Sequence, residues 1–119
     1  MPENEIYNYE PEANNAVAKS PQECRKALKD LGCCVIIPTY NNAGTLSHVI
    51  SEVLQYSEDV IVVDDGSTDT TPEIIRSFGD AIKSLTQEKN QGKGVALLCG
   101  MVYAKRYGIK YAISIDSDG

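Results

Sequence analysis

Two aspartates one residue apart, Asp116 and Asp118, follow the apolar run of "YAISIDSDG". On extended chain, alternate side chains point the same way. The two carboxylates then share a face and repel unless a cation sits between or beside them. Their hard oxygens favour Mg²⁺ or Mn²⁺, ions that bridge to phosphate oxygens. A solvated acidic turn can have the same composition. A second acid pair, Asp64-Asp65 in "VVDDGSTDTT", ends another apolar run. Carboxylates there are costly unless satisfied, by a ligand N–H, a ribose hydroxyl, a metal or the fold. In "NQGKGVAL", Gly92 and Gly94 flank Lys93 where a helix should begin. Free N–H groups, the helix dipole and a lysine can cradle phosphate. The G-x-x-x-x-G-K-[ST] spacing is absent, however, and glycines also allow close helix–sheet packing. In "PTYNNAGT", Pro38 fixes the exit of a run and Tyr40 offers a ring that could stack on a base. A half-packed loop tyrosine fits that loop equally well. Asp69 lies close to the next helix start, where a capping role is expected.

These groups matter together only if the fold gathers them. "CCVIIP" (Cys33 to Pro38) and "DVIVVDDG" (Asp59 to Gly66) are short apolar runs without alternation, the pattern of strands buried on both faces. "AIKSLT" (Ala81 to Thr86) reads as a weaker, edge-like strand and "YAISI" as the last. Helices fall between them. Ser20-Pro21-Gln22-Glu23 is a helix start with a capping box, and Gly32 should end that helix after Leu31. Leu46, Val49, Ile50, Val53 and Leu54 share one helical face, with His48 off it. Thr71-Pro72-Glu73 opens a third helix. Val95, Leu98, Cys99 and Val102 mark the apolar face of a fourth, with Lys105 and Arg106 in its last turn and Gly108 as C-cap. Strands alternating with helices predict an α/β fold: a Rossmann-like parallel sheet of about four strands. Ligands bind such sheets at the C-terminal strand edge, where the strand order reverses. All four motifs fall in loops at that edge.

Composition narrows the function. The chain has 119 residues, 42% hydrophobic and 24% charged, with a net charge of -6. Glu3, Glu5, Glu10 and Glu12 against Lys19 make residues 1–19 an acidic segment without apolar period, expected to be a flexible tail. No basic stripe exists to neutralise a nucleic-acid backbone. Cys24, Cys33, Cys34 and Cys99 form no C-x-x-C and read as reduced thiols in a reducing compartment. No apolar stretch of membrane-spanning length and no signal peptide are present, so a cytoplasmic segment is expected. Membrane association would have to come from chain beyond residue 119.

The strings "VIIPTYNN", "VIVVDDGSTDTT", "NQGKGVAL" and "ISIDSDG", in this order, resemble the family 2 glycosyltransferases of the GT-A fold. The resemblance spans about residues 33 to 119. "NQGKG" followed by a long helix and "DSDG" is most similar to the branch that transfers sugars to polyprenyl phosphates. The resemblance implies that residues 20–119 are the N-terminal portion of a GT-A domain. It implies a UDP- or GDP-linked sugar donor and a divalent cation. Pro38, Thr39 and Tyr40 would line the base pocket. Asp65, with Asp64 beside it, would contact base or ribose. Lys93 would lie near the nucleotide, Asp116 on the ribose or donor sugar, and Asp118 on the metal. Transfer would proceed mostly with inversion. The catalytic base of the family lies well after the D-x-D, here beyond Gly119. This chain is therefore expected to bind donor and not to transfer sugar by itself.

Three other readings compete. A haloacid-dehalogenase phosphatase also has strand-D-x-D, but near the start of its domain. A receiver domain would need a lone Asp after the third strand, which "AIKSLTQEKN" lacks. A non-catalytic nucleotide-binding module fits the same residues.

Overall fold

Ser20 opens the first helix of the computed structural model, which describes residues 20–119; the tail expected over residues 1–19 lies outside them. The Ser20 hydroxyl accepts the Glu23 N–H at 3.1 Å and donates to the Glu23 carboxylate at 3.2 Å. Helix α1 (Pro21–Leu31) ends where Gly32 turns left-handed at φ 72°. β1 (Cys33–Thr39) follows, then α2 (Leu46–Tyr56), β2 (Val60–Asp64), α3 (Thr71–Ser77), a short 3-10 turn (Gly79–Ala81), β3 (Lys83–Thr86), α4 (Lys93–Arg106) and β4 (Tyr111–Ser114).

The four strands form one parallel sheet, as the alternating pattern predicts, and lie in the order β3-β2-β1-β4. Every residue of β1 and β2 is buried. Successive side chains on these strands serve opposite faces, as strand geometry requires. Val35, Ile37, Val60 and Val62 pack with Leu46, Val49, Ile50, Val53 and Ile75 on the side of α2 and α3. Cys34, Ile36, Ile61 and Val63 pack with Ala96 and Ala104 of α4 on the other. A run without alternation is thus the signature of two cores that share one strand. β3 lies at an edge, as expected. His48 projects into solvent, its side chain 79% exposed.

The buried face of α4 differs from the expected one. Val95, Leu98 and Val102 are 38%, 61% and 56% exposed. The centre of the face against the sheet is instead Ala96, Gly100 and Ala104, four residues apart, flanked by half-buried Leu97, Tyr103 and Cys99, the one member of the expected stripe on this side. A methyl group on Gly100 would stand 2.7 Å from Ile36 Cγ2. The helix approaches the sheet too closely for large side chains, so small residues carry the contact. Counting large apolar residues picks the opposite side. At the C-terminus of α4 the cap is Tyr107, and Gly108 follows in the left-handed region at φ 80°. β4 is exposed throughout, Tyr111 by 62% and Ile113 by 44%, and leaves an apolar edge uncovered.

All four cysteines are free thiols. Burial pushes the Cys34 thiol up to about 11 and raises Cys33 as well, which keeps both protonated and unreactive. No helix among the described residues is long and apolar enough to cross a membrane.

Candidate functional site

The sheet order reverses at β1: the chain steps outward through β2 to β3, then returns to place β4 on the other side of β1. Loops leaving β1 and β4 diverge there and leave a crevice. A cavity of about 310 Å³ occupies it. Pro38, Thr39 and Tyr40 line it from the end of β1, and Asp65 from the end of β2. Lys93 lines it from the start of α4, and Asp116 and Asp118 from the end of β4. Of the residues that the family resemblance assigns to nucleotide, sugar or metal, only Asp64 is not part of this lining. Its buried side chain turns back into its own loop and accepts the Ser67 N–H at 3.0 Å.

Asp65 is 3% exposed, and its carboxylate is satisfied by the chain itself. It accepts the Gln91 N–H at 2.8 Å, the Gly92 N–H at 2.9 Å and the Asn90 side-chain amide at 3.1 Å. The glycine-rich loop is therefore fastened onto the end of β2. Gly66 makes room for it: a methyl group there would lie 2.4 Å from the Asn90 nitrogen, and φ is 74°. With the loop held down, α4 begins at Lys93 with no side-chain cap on its first N–H groups, and Gly92 and Lys93 both border the cavity. Those N–H groups and the positive helix end favour an anion.

Lys93 Nζ forms an ion pair with Asp116 Oδ1. Its hydrogen bond to Asp116, then the charge of that carboxylate, raise the lysine above its ordinary pKa. Both side chains are more than half exposed, so water and salt screen the pair. Asp118 makes no hydrogen bond or ion pair among the described residues, where no cluster of three or more His, Cys, Asp or Glu positioned for a metal occurs either. Two carboxylates nonetheless suit Mg²⁺ or Mn²⁺ in a phosphate site, since such ions take one or two protein acids and complete their shell with phosphate and water.

The flanking loops are cross-tied. Asn41, left-handed at φ 52°, accepts the Thr68 and Asp69 N–H groups at 2.8 and 3.3 Å and donates its own N–H to the Ser67 hydroxyl at 2.9 Å. The N-cap of α3 is Thr70; Asp69, one residue earlier, accepts the Thr71 N–H at 2.9 Å and so serves the helix start close to where a cap was expected, and hydrogen bonding from Thr71 holds its carboxyl below the usual carboxylate value. Sequence reading missed Asn42, Asn90 and Ser117, which also line the cavity. As single polar residues in loops they carry no periodic signal; only the polar density of "YNN" and "NQG" hinted at them. Thr39 Oγ1 is buried without a partner among the described residues, a polar atom at the wall of the cavity.

Residues 34–119 match the family model described as Glycosyl transferase family 2. The chain is 42% identical over 87 residues to the uncharacterized glycosyltransferase YaiP of Escherichia coli, covering 67% of this chain and 22% of that protein. It is 33% identical over 101 residues to the dolichyl-phosphate beta-glucosyltransferase of Homo sapiens, covering 71% and 30%. S. aureus TarS, solved in complex with UDP-GlcNAc, shares the fold with a TM-score of 0.56 at 28% identity, over 72% of this chain and 26% of that one. The glucosyl-3-phosphoglycerate synthase of Mycobacterium tuberculosis, solved with Mn²⁺ and UDP, gives a TM-score of 0.59 at 24% identity over 84% and 38%, a likeness of fold. This chain spans less than half the length of each of these proteins.

Proposed function

The chain belongs to glycosyl transferase family 2, and from that premise we propose that its cavity binds the nucleotide part of a UDP- or GDP-linked sugar. The observation that carries the reading is the meeting of Tyr40, Asp65, Lys93, Asp116 and Asp118 at one crevice. Tyr40 is 44% exposed at the rim, placed for its ring to stack on a base against Pro38 and Thr39. The unpartnered Thr39 hydroxyl is a group a base edge can satisfy. Asp65 has given three hydrogen-bond sites to the glycine-rich loop, and a carboxylate offers about four. One remains for a ribose hydroxyl or base N–H. Asp64 we assign to shaping the turn.

Lys93 and the start of α4 supply positive potential for the diphosphate. Asp118, with Asp116 beside it, is the pair that would hold Mg²⁺ or Mn²⁺, which when bound supplies charge stabilisation to a departing diphosphate. Asp116 is shared between Lys93 and the donor, so the ion pair must rearrange as ligand enters. The acceptor is a separate matter. A polyprenyl phosphate is supported by the similarity to the human dolichyl-phosphate enzyme, and inversion by the family resemblance. Membrane association stands on the same similarity. The four free thiols fit a reducing, cytoplasmic setting. We take residues 20–119 as the donor-binding portion of a GT-A domain, since the relatives are much longer. A nucleotide-binding module without catalysis uses the same cavity. Phosphatase and receiver readings leave the Asp65-tied glycine loop without a role.

Asp118→Ala should abolish metal-dependent UDP or GDP binding while far-ultraviolet circular dichroism stays unchanged. Unaltered affinity in that variant would remove the metal assignment.

A further inference from the structure

We propose that Asn42 and Thr45, on the loop into α2, are positioning residues that aim Asp116 and Asp118 into the cavity. The inference rests on the nucleotide-sugar reading and extends it to two residues that touch neither acid. β4 ends at Ser114, and the Ile115 N–H makes the last bond to β1, to the Ile36 carbonyl at 3.0 Å. The acid pair therefore hangs beyond the end of an exposed edge strand. Ser117 supplies the anchor: it is 3% exposed although Asp116 and Asp118 on either side are exposed. Asn42 Nδ2 donates to the Ser117 hydroxyl at 2.6 Å, and the Thr45 hydroxyl donates to the Ser117 carbonyl at 2.6 Å. The chain bends at Ser117, which itself borders the cavity, so fixing this buried residue holds the exposed carboxylates on either side of it at the same cavity wall.

The clamp is itself rigid. The Asn42 carbonyl accepts the Thr45 and Leu46 N–H groups at 3.1 and 2.9 Å, at the first turn of α2. Thr45 occupies the N-cap position of α2 yet makes no side-chain capping bond. A threonine there ordinarily turns its hydroxyl oxygen to the helix N–H groups. Here the hydroxyl serves the acid-bearing loop, 72 residues away in sequence.

The test is Mn²⁺ titration of the 119-residue chain with UDP present, followed by the electron paramagnetic resonance of free Mn²⁺, alongside UDP titration without metal. Asn42→Ala and Thr45→Val should each weaken Mn²⁺ binding by about 10-fold or more, the usual consequence of losing groups that orient metal ligands. Thr45 does not line the cavity, so in Thr45→Val metal-free UDP affinity should fall less than Mn²⁺ affinity, and Thr45→Ser should restore Mn²⁺ affinity. Asn42→Ala combined with Ser117→Ala should be no worse than the poorer single variant. Wild-type Mn²⁺ affinity in folded Asn42→Ala and Ser117→Ala variants would overturn the proposal, and so would an equal loss of metal-free UDP binding in Thr45→Val. If Thr45→Val does not fold, the two alanine variants decide the matter. Failure of the unsubstituted chain to bind Mn²⁺ and UDP at all would overturn the nucleotide-sugar reading itself, and this inference with it.

Discussion

Lys93 Nζ donates to Asp116 Oδ1 and so joins the first residue of α4 to the loop after β4, across the mouth of the cavity. The ammonium sits beside a carboxylate of the acid pair assigned to the metal. Cation and lysine then compete for Asp116.

Lys93→Gln should accordingly strengthen Mn²⁺ binding measured alone and weaken UDP binding, because the diphosphate loses a positive partner while Asp116 is released. Isothermal titration with each ligand separates the two effects; a loss of affinity for both would contradict the competition. The pH dependence has a definite sign. The lysine is raised above its ordinary 10.5 in the folded chain, so what the pair contributes is complete below 10.5 and is lost only as pH rises through the raised value. Across neutral pH the competition should be flat.

Gly66 should tolerate no side chain. Gly66→Ala forces a left-handed alanine at φ 74° and a methyl 2.4 Å from the Asn90 nitrogen. Destabilisation of roughly 2–4 kcal/mol is expected in urea unfolding. Because the displaced loop carries Lys93, UDP affinity should fall too. An alanine variant with unchanged midpoint and affinity would mean that the loop does not cross Gly66.

The two sides of α4 make opposite predictions. Leu98→Lys, on the exposed face, should change stability by no more than about 0.5 kcal/mol and should improve solubility by breaking an apolar patch. Gly100→Val, against Ile36, should cost about 1–3 kcal/mol. The reverse ranking in thermal unfolding would restore the large apolar stripe as the buried face.

Tyr40→Ala should weaken nucleotide binding by roughly 1–2 kcal/mol, the magnitude of base–aromatic stacking. The fold should not change, since the ring is 44% exposed. Equal affinity would return Tyr40 to an ordinary loop residue.

The strands were legible because burial on both faces leaves an unbroken apolar run, as in Cys34 to Ile37 and Val60 to Val63. The helix caps at Ser20 and Gly32 were legible because they are local. The buried side of α4 was not, because closeness of approach is a property of two elements and Gly100 carries no apolar surface to count. Around the site, charged and aromatic groups were visible as types. The ties among them were not: Asp65 looked like an acid awaiting a ligand, whereas most of its hydrogen-bonding capacity goes to Gln91, Gly92 and Asn90. Asn42 and Ser117 meet across 75 residues, a separation no local pattern encodes.

Calorimetric titration of UDP and GDP into this chain, with and without Mn²⁺, tests the central claim most directly. Saturable binding of one of the two nucleotides, clearly tightened by Mn²⁺, is the predicted result. No binding of either, or binding indifferent to the metal, would contradict it.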